Sequence, residues 1–208
     1  MNKKITPEIE FSENPNLFYT EEEAKRYDQS SGMRKTQEEL TELLLLISKI
    51  ELKSDFKILD IGCGTGFSIS YLQQKGCKNI IGVDPAIEMI KIAKKKKFNV
   101  FVGDFTNLNK LNFENNSFDI IISVSALQWI LSNKEEPEIK NIIKKVGKYL
   151  FSILKDSGTC LIQFYPNSEK GYDAVCSSFT RAGFIVEPYI YNEKSSKKKK
   201  YLLILKKN

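Results

Sequence analysis

Short apolar runs in the chain are separated by stretches where apolar residues return every three or four positions. The runs are Phe56–Ile61, Asn79–Val83, Asn99–Val102, Phe118–Val124, Thr159–Phe164, Phe184–Tyr191 and Tyr201–Leu205. Runs of this length and composition predict strands. Between them, Phe67–Lys75, Pro85 to about Lys96, Glu138–Leu154 and Ser168–Ala182 carry helical spacing. In the third of these, Ile139, Ile142, Ile143, Val146, Tyr149, Leu150 and Ile153 fall on one face, and Gly158 follows its end. Pro85 suits a first helical turn. Upstream, Thr20 before three glutamates predicts an N-cap with acidic residues at the positive end of a helix over Thr20–Gln29. Gly32 reads as an interruption, and Lys35–Ile50 as a second helix with a stripe of Leu40, Leu43, Leu44 and Ile47. The first fifteen or so residues read as an irregular arm broken by Pro7 and Pro15.

Strand–helix alternation predicts an α/β fold, a mostly parallel sheet with helices on both faces. The last two strands are joined only by Asn192–Lys200. A parallel crossover needs a dozen or more residues, so this pair is expected to be antiparallel. The result is a seven-stranded sheet with an antiparallel last strand in one domain over 1–208. Residues 1–50 form an arm and lid helices, and residues 51–208 a Rossmann-like core.

Composition narrows the chemistry. The 208 residues contain no histidine, which excludes His-based triads, His metal ligands and a His general base. Cys63, Cys77, Cys160 and Cys176 form no C-x-x-C pair and read as reduced thiols, with no metal site implied. The longest apolar stretch, Ile120–Leu131, is broken by Ser123, Ser125 and Gln128, well short of the ~20 residues of a membrane span. No apolar signal region opens the chain, so an intracellular protein is expected. The net charge is +6, with arginine only at 26, 34 and 181. Lysine runs at 94–97 and 197–200 fit a polyanion such as RNA, and equally a solvated helix end and a turn.

The densest motif is Leu59-Asp60-Ile61-Gly62-Cys63-Gly64-Thr65-Gly66. Its G-x-G-x-G spacing is tighter than the dinucleotide fingerprint, and suits backbone approach to a compact amino-acid moiety. Asp60 can accept from an ammonium or a water. Asp84, before Pro85, can take both ribose hydroxyls, and it equally suits a helix N-cap. Asp104 can accept from an adenine amino group while Phe105 covers the ring. Each acid follows its own strand, so all three converge on the carboxyl edge of the sheet, where such folds bind ligands.

This layout and these strand ends resemble the S-adenosylmethionine site of class I methyltransferases. The resemblance extends the cofactor set to Cys63, Gly64, Gly66, Pro85, Ser123 and Tyr27. A closer resemblance rests on Asn14–Tyr19 with Glu23–Tyr27, on Ser123–Trp129, and on Gln163–Ser168 with Ala182–Phe184. These segments are similar to the small-subunit rRNA guanine-N7 methyltransferases, and the resemblance spans about Pro15 to Leu205. It implies rRNA as substrate, a role in ribosome biogenesis, and Trp129, Gln128, Tyr165, Asn167 and Tyr19 as substrate-positioning residues. No general base is expected. Trp129, the one tryptophan, can stack on a base or fill the core. The resemblance also implies a small zinc-binding activator subunit paired at the edge strand near 98–103, where Phe98, Val100 and Val102 alternate. Eukaryotic members continue into a long basic tail, whereas this chain ends at Asn208. The expected compartment is nuclear or nucleolar in a eukaryote and cytoplasmic otherwise. Two other functions share the glycine loop: a small-molecule methyltransferase, and a cofactor-binding assembly factor that acts without catalysis.

Overall fold

A computed structural model describes residues 15–194 and 199–207. Seven strands form one sheet: β1 (Lys57–Ile61), β2 (Asn79–Asp84), β3 (Val100–Val102), β4 (Phe118–Val124), β5 (Leu154–Phe164), β6 (Ile185–Tyr191) and β7 (Lys200–Lys206). The spatial order is β3-β2-β1-β4-β5-β7-β6. The ladders joining β3, β2, β1, β4 and β5 are all parallel, and β7 runs antiparallel to both β5 and β6. Every predicted strand is present.

Eight α-helices are described: α1 (Pro15–Phe18), α2 (Glu21–Gln29), α3 (Ser31–Ser48), α4 (Phe67–Gln74), α5 (Ile87–Lys95), α6 (Leu127–Leu131), α7 (Glu136–Ile153) and α8 (Glu169–Arg181). Thr20 caps α2, its hydroxyl accepting from the Glu23 N–H at 3.3 Å. Three readings need correction. Gly32 lies inside α3, because Ser30 caps that helix by accepting from the Met33 N–H, and the helix starts before the glycine. Pro15 opens a short helix, which its fixed φ permits. Pro85 precedes the N-cap Ala86, so it lies outside the first turn of α5.

Strand pleating divides the core in two. Leu59 and Ile61 of β1, Ile121 of β4, Cys160 and Ile162 of β5 and Leu203 and Leu205 of β7 pack with Ile139, Ile143, Val146 and Leu150 of α7 and Phe179 of α8. From the opposite face, Ile58, Ile120, Ile122, Leu161 and Ile204 pack with Leu40 and Leu44 of α3, Leu72 of α4 and Ile90 of α5. A third cluster joins Ala24 of α2 to Ala86 and Met89. α2 is thereby held against the start of α5, just after the carboxyl end of β2. Three cysteines are buried, Cys176 is half-buried, and all four thiols are free. No helix among the described residues is long and apolar enough to cross a membrane.

Candidate active site

A cavity of about 760 Å³ opens over the carboxyl edge of the parallel strands. Its floor is the loop after β1. The N–H groups of Gly62 and Cys63 donate to the Val83 carbonyl at 2.7 and 3.0 Å, which ties the loop to the end of β2. Gly62, Gly64 and Gly66 have φ of +80°, +54° and +91°, the left-handed region that favours glycine. At Gly62 the demand is also steric: a Cβ there would overlap the Ala126 methyl. The bare loop backbone at Gly62 and Gly64 therefore forms the cavity wall, together with Cys63.

Asp84 lies across this loop. One carboxylate oxygen accepts from the Gly64 N–H and the other from the Ala86 N–H, both at 2.8 Å. The N-cap of α5 is Ala86, so Asp84 is not itself the cap: its carboxylate holds the Ala86 N–H just before the helix and lines the cavity beside Pro85. Burial pushes its carboxyl up to about 6, against the two N–H bonds that favour the charge, and the Asp104 charge adds to the rise. Asp104 lines the same wall and accepts from the Thr106 N–H at 2.7 Å. Phe105 reaches the cavity but is 96% buried in the core, so only a margin of its ring is free to cover a ligand.

Four expected cofactor or substrate contacts lie off the cavity wall. Asp60 is buried beneath the loop and accepts from the Ser68 hydroxyl, and Ser68 faces the cavity in its place. Burial pushes the Asp60 carboxyl up to about 7, with Ser68 opposing and the Asp84 charge adding. Gly66 serves packing: a Cβ there would sit 2.5 Å from the Phe98 ring. The Ser123 hydroxyl donates to the Ile61 carbonyl at 2.7 Å inside the sheet. Asn167 reaches toward the Leu131 carbonyl at 3.5 Å.

The other end of the cavity is aromatic. Trp129 sits on α6 rather than at a strand end. Its ring centre lies 5.8 Å from that of Tyr19 and 5.7 Å from that of Phe18. Tyr19 contacts Tyr27 edge-on at 5.9 Å, and Tyr27 stacks on Phe67 at 5.3 Å. Tyr165, at the tip of β5, closes the wall with Lys200.

Sequence reading missed the supports of this wall. Ser125 turns β4 into α6 with φ +55°, an uncommon conformation for a non-glycine residue. It is held by Gln163, whose buried carboxamide oxygen accepts from the Ser125 N–H at 3.0 Å and from its hydroxyl at 2.9 Å. The Ser125 carbonyl in turn accepts from the Gln128 side chain at 2.7 Å. Gln128 thus braces the turn and also lines the cavity, where its buried amide oxygen has no protein partner.

Lys96 was also missed. Its ammonium donates to Asp28 of α2 and, at 3.0 Å, to the Thr65 carbonyl of the glycine loop. It lies 5.2 Å from the Phe67 ring centre. One member of the first lysine run is thus an internal strap from lid to loop. Lys96→Met is expected to weaken cofactor affinity roughly fivefold, about 1 kcal/mol for a half-exposed charged bond. It should also speed proteolysis within α2, while Lys96→Arg preserves most of both. Calorimetry and limited digestion check this, and unchanged digestion would show that the strap does not hold the lid. In the second run Lys197 and Lys198 lie outside the described residues, as do Pro7 and Asn14.

The fold and this floor define a class I S-adenosylmethionine-dependent methyltransferase. A family model described as a methyltransferase domain matches residues 59–162. The chain is 30% identical over 195 residues to the Bos taurus 18S rRNA (guanine-N(7))-methyltransferase, covering 92% of this chain and 68% of that one. It belongs to the family of 18S rRNA guanine-N7 methyltransferases. Two solved structures share the fold. Synechocystis magnesium protoporphyrin IX methyltransferase, solved with bound S-adenosylmethionine, matches at TM-score 0.65 and 15% identity over the whole of both chains. A chain of the complex between the Haloferax volcanii Trm112 methyltransferase activator and a methyltransferase matches at 0.63 and 17%, over 88% of this chain and 96% of that one.

The residues present fit the cofactor. Left-handed glycines leave bare backbone that an amino-acid portion could approach, and Asp84 offers a carboxylate acceptor on the cavity wall. Asp60 keeps one buried oxygen without a protein partner beneath the loop.

Proposed function

We infer that the chain transfers the methyl group of S-adenosylmethionine to N7 of a guanine in small-subunit rRNA, during ribosome biogenesis. The observation that carries this is the single cavity joining the glycine floor to the aromatic wall, in a chain of this family. When bound, the cofactor supplies an electrophilic methyl on a sulfonium. Guanine N7 presents an in-plane lone pair and no proton, so no general base is required. No carboxylate lines the described wall at Trp129, Ser132, Asn133, Tyr165 and Lys200. The task of the chain is therefore positional: to hold the lone pair in line at about 3–3.5 Å. Stacking on Trp129, Tyr19 or Tyr165 would fix the ring and set π-faces against the positive charge that N7 gains. The target guanine must be unpaired or extruded, since a duplex hides this approach. In a nucleated cell this substrate places the protein in the nucleus.

The test is to map N7-methylguanine on rRNA from cells lacking the gene. The expected result is one missing mark, restored by the wild-type chain. An unchanged methylation map refutes the reading.

We further propose that β3 takes a second chain by strand addition, the small zinc-binding activator that the sequence resemblance implies. β3 is a sheet edge, with Phe101 and Val102 42% and 50% exposed. Uncovered apolar edges favour pairing with another strand. Phe98 takes no part, because its ring packs on Gly66. Co-expression is expected to yield a heterodimer that Phe101→Asp disrupts. An isolated chain that is soluble, monomeric and binds cofactor tightly would exclude this partner.

A further inference from the structure

The last strand runs against its neighbours, so it delivers its first residue, not its last, to the edge where the cavity opens. That residue is Lys200. In the β5–β7 ladder Phe164 faces Tyr201, which sets Tyr165 opposite Lys200 one step further out. The Lys200 ammonium donates to the Tyr165 hydroxyl at 3.1 Å and lies 5.1 Å from the centre of that ring. Both side chains line the cavity. The other described lysines of β7 and its approach pair with acids: Lys199 with Glu169 at 3.6 Å and Lys206 with Glu187 at 2.8 Å. No carboxylate among the described residues comes within ion-pair distance of Lys200. An ammonium has three donors, and Tyr165 occupies one.

Position along the sheet decides what this cation meets. From Asp84 on β2 to Lys200 on β7 is four strand steps, through β1, β4 and β5, or ~19 Å at ordinary strand spacing. The cofactor floor occupies β1 and β2, and Trp129 follows β4. Lys200 therefore lies beyond the base, where a nucleotide carries its sugar and phosphate. Charge favours the same assignment. A fixed cation against the purine would oppose the positive charge N7 acquires, whereas against a phosphodiester it meets a permanent negative charge.

We propose that Lys200, oriented by Tyr165, is the phosphate subsite that grips the backbone of the target nucleotide. The proposal rests on the RNA-substrate reading above and extends it to one residue. The test uses the full chain and two ligands, a short single-stranded guanosine-containing RNA and free guanosine, which has no phosphate. Lys200→Ala is expected to weaken RNA binding about tenfold at low salt, the effect of one charge-assisted contact. It should also flatten the log–log salt dependence by about 0.7, the share of one neutralised phosphate on a single strand. Lys200→Arg should keep the slope. Tyr165→Phe should weaken binding with the slope intact, because the charge remains. Guanosine affinity should fall far less than RNA affinity in Lys200→Ala. If Lys200→Ala matches wild type on RNA, or loses guanosine equally, the subsite is refuted while the RNA reading stands. A wild-type chain that binds no RNA overturns both.

Discussion

Gly62→Ala is expected to lower S-adenosylmethionine affinity by at least a hundredfold and to destabilise the fold. Two effects add. An alanine at φ +80° carries the left-handed strain of roughly 1–2 kcal/mol that glycine avoids. Its methyl would also occupy the volume of the Ala126 methyl, at the turn between β4 and α6. That turn has little freedom to retreat, because Ser125 is pinned to Gln163 through both its N–H and its hydroxyl. The clash must instead displace the glycine loop, which separates Gly64 from Asp84. Gly64→Ala is the control. It has φ of +54°, yet its Cβ would meet only Tyr27, at an ordinary 3.9 Å. It should therefore show the strain alone, with a cofactor loss nearer tenfold. Calorimetry for affinity and thermal unfolding for stability check both variants. Equal effects at the two positions would mean that the contact with Ala126 is relieved elsewhere, and that floor and aromatic wall are not mechanically joined.

The contrast between these glycines also explains what sequence could reveal. The floor was legible because its determinants are local: a glycine cluster after one strand, and an acid after each of the first three. The sheet was legible for a similar reason, since β7 can only be antiparallel if Asn192–Lys200 is too short for a crossover. The aromatic wall is different. Trp129 and Tyr165 follow neighbouring strands, but Tyr19 joins them only because α1 and α2 fold back over the sheet, guided by Ala24 against Ala86 and Met89. Apolar periodicity does not encode that docking. Gln163 was hidden for another reason. A glutamine near the end of an apolar strand looks like a solvent-facing position, but its buried carboxamide adds to the bond that its backbone carbonyl takes from the Ser125 N–H and also holds the Ser125 hydroxyl. Asp60 and Gly66 belong to the motif but lie off the cavity wall, because the motif does not say which members line the cavity and which support it from below. Lys96 was masked by its three lysine neighbours, and only the position of Asp28 on a separate helix distinguishes it.

Asp84→Asn should largely abolish cofactor binding, and the same charge should give the wild type a pH dependence. In the native protein both carboxylate oxygens accept backbone N–H bonds. An asparagine can accept only on one side. Its NH₂ would face either Gly64 or Ala86 as donor against donor, leaving a buried N–H unpaired at a cost of about 1–3 kcal/mol. One of the two carboxylate bonds, to Gly64 or to Ala86, is lost, and ribose hydroxyls would lose a charged acceptor, so a loss beyond a hundredfold is expected. Burial holds the wild-type carboxyl near 6. If the charged form binds ribose, wild-type affinity should fall about tenfold per pH unit below that value, and the Asn variant should lack this slope. Stability of the unliganded chain should move the other way. A carboxyl raised in the fold from 3.8 binds more protons folded than unfolded, so its contribution is fully present below pH 4 and is lost as pH rises through about 6. Asp60, raised to about 7, extends the same trend by another unit. Cofactor should therefore stabilise the protein more as pH rises through about 6, where the buried Asp84 carboxylate ionises. Thermal unfolding with and without S-adenosylmethionine from pH 5 to 8 measures both slopes. If the thermal shift on adding cofactor does not grow with pH, ionised Asp84 is not what the ribose meets.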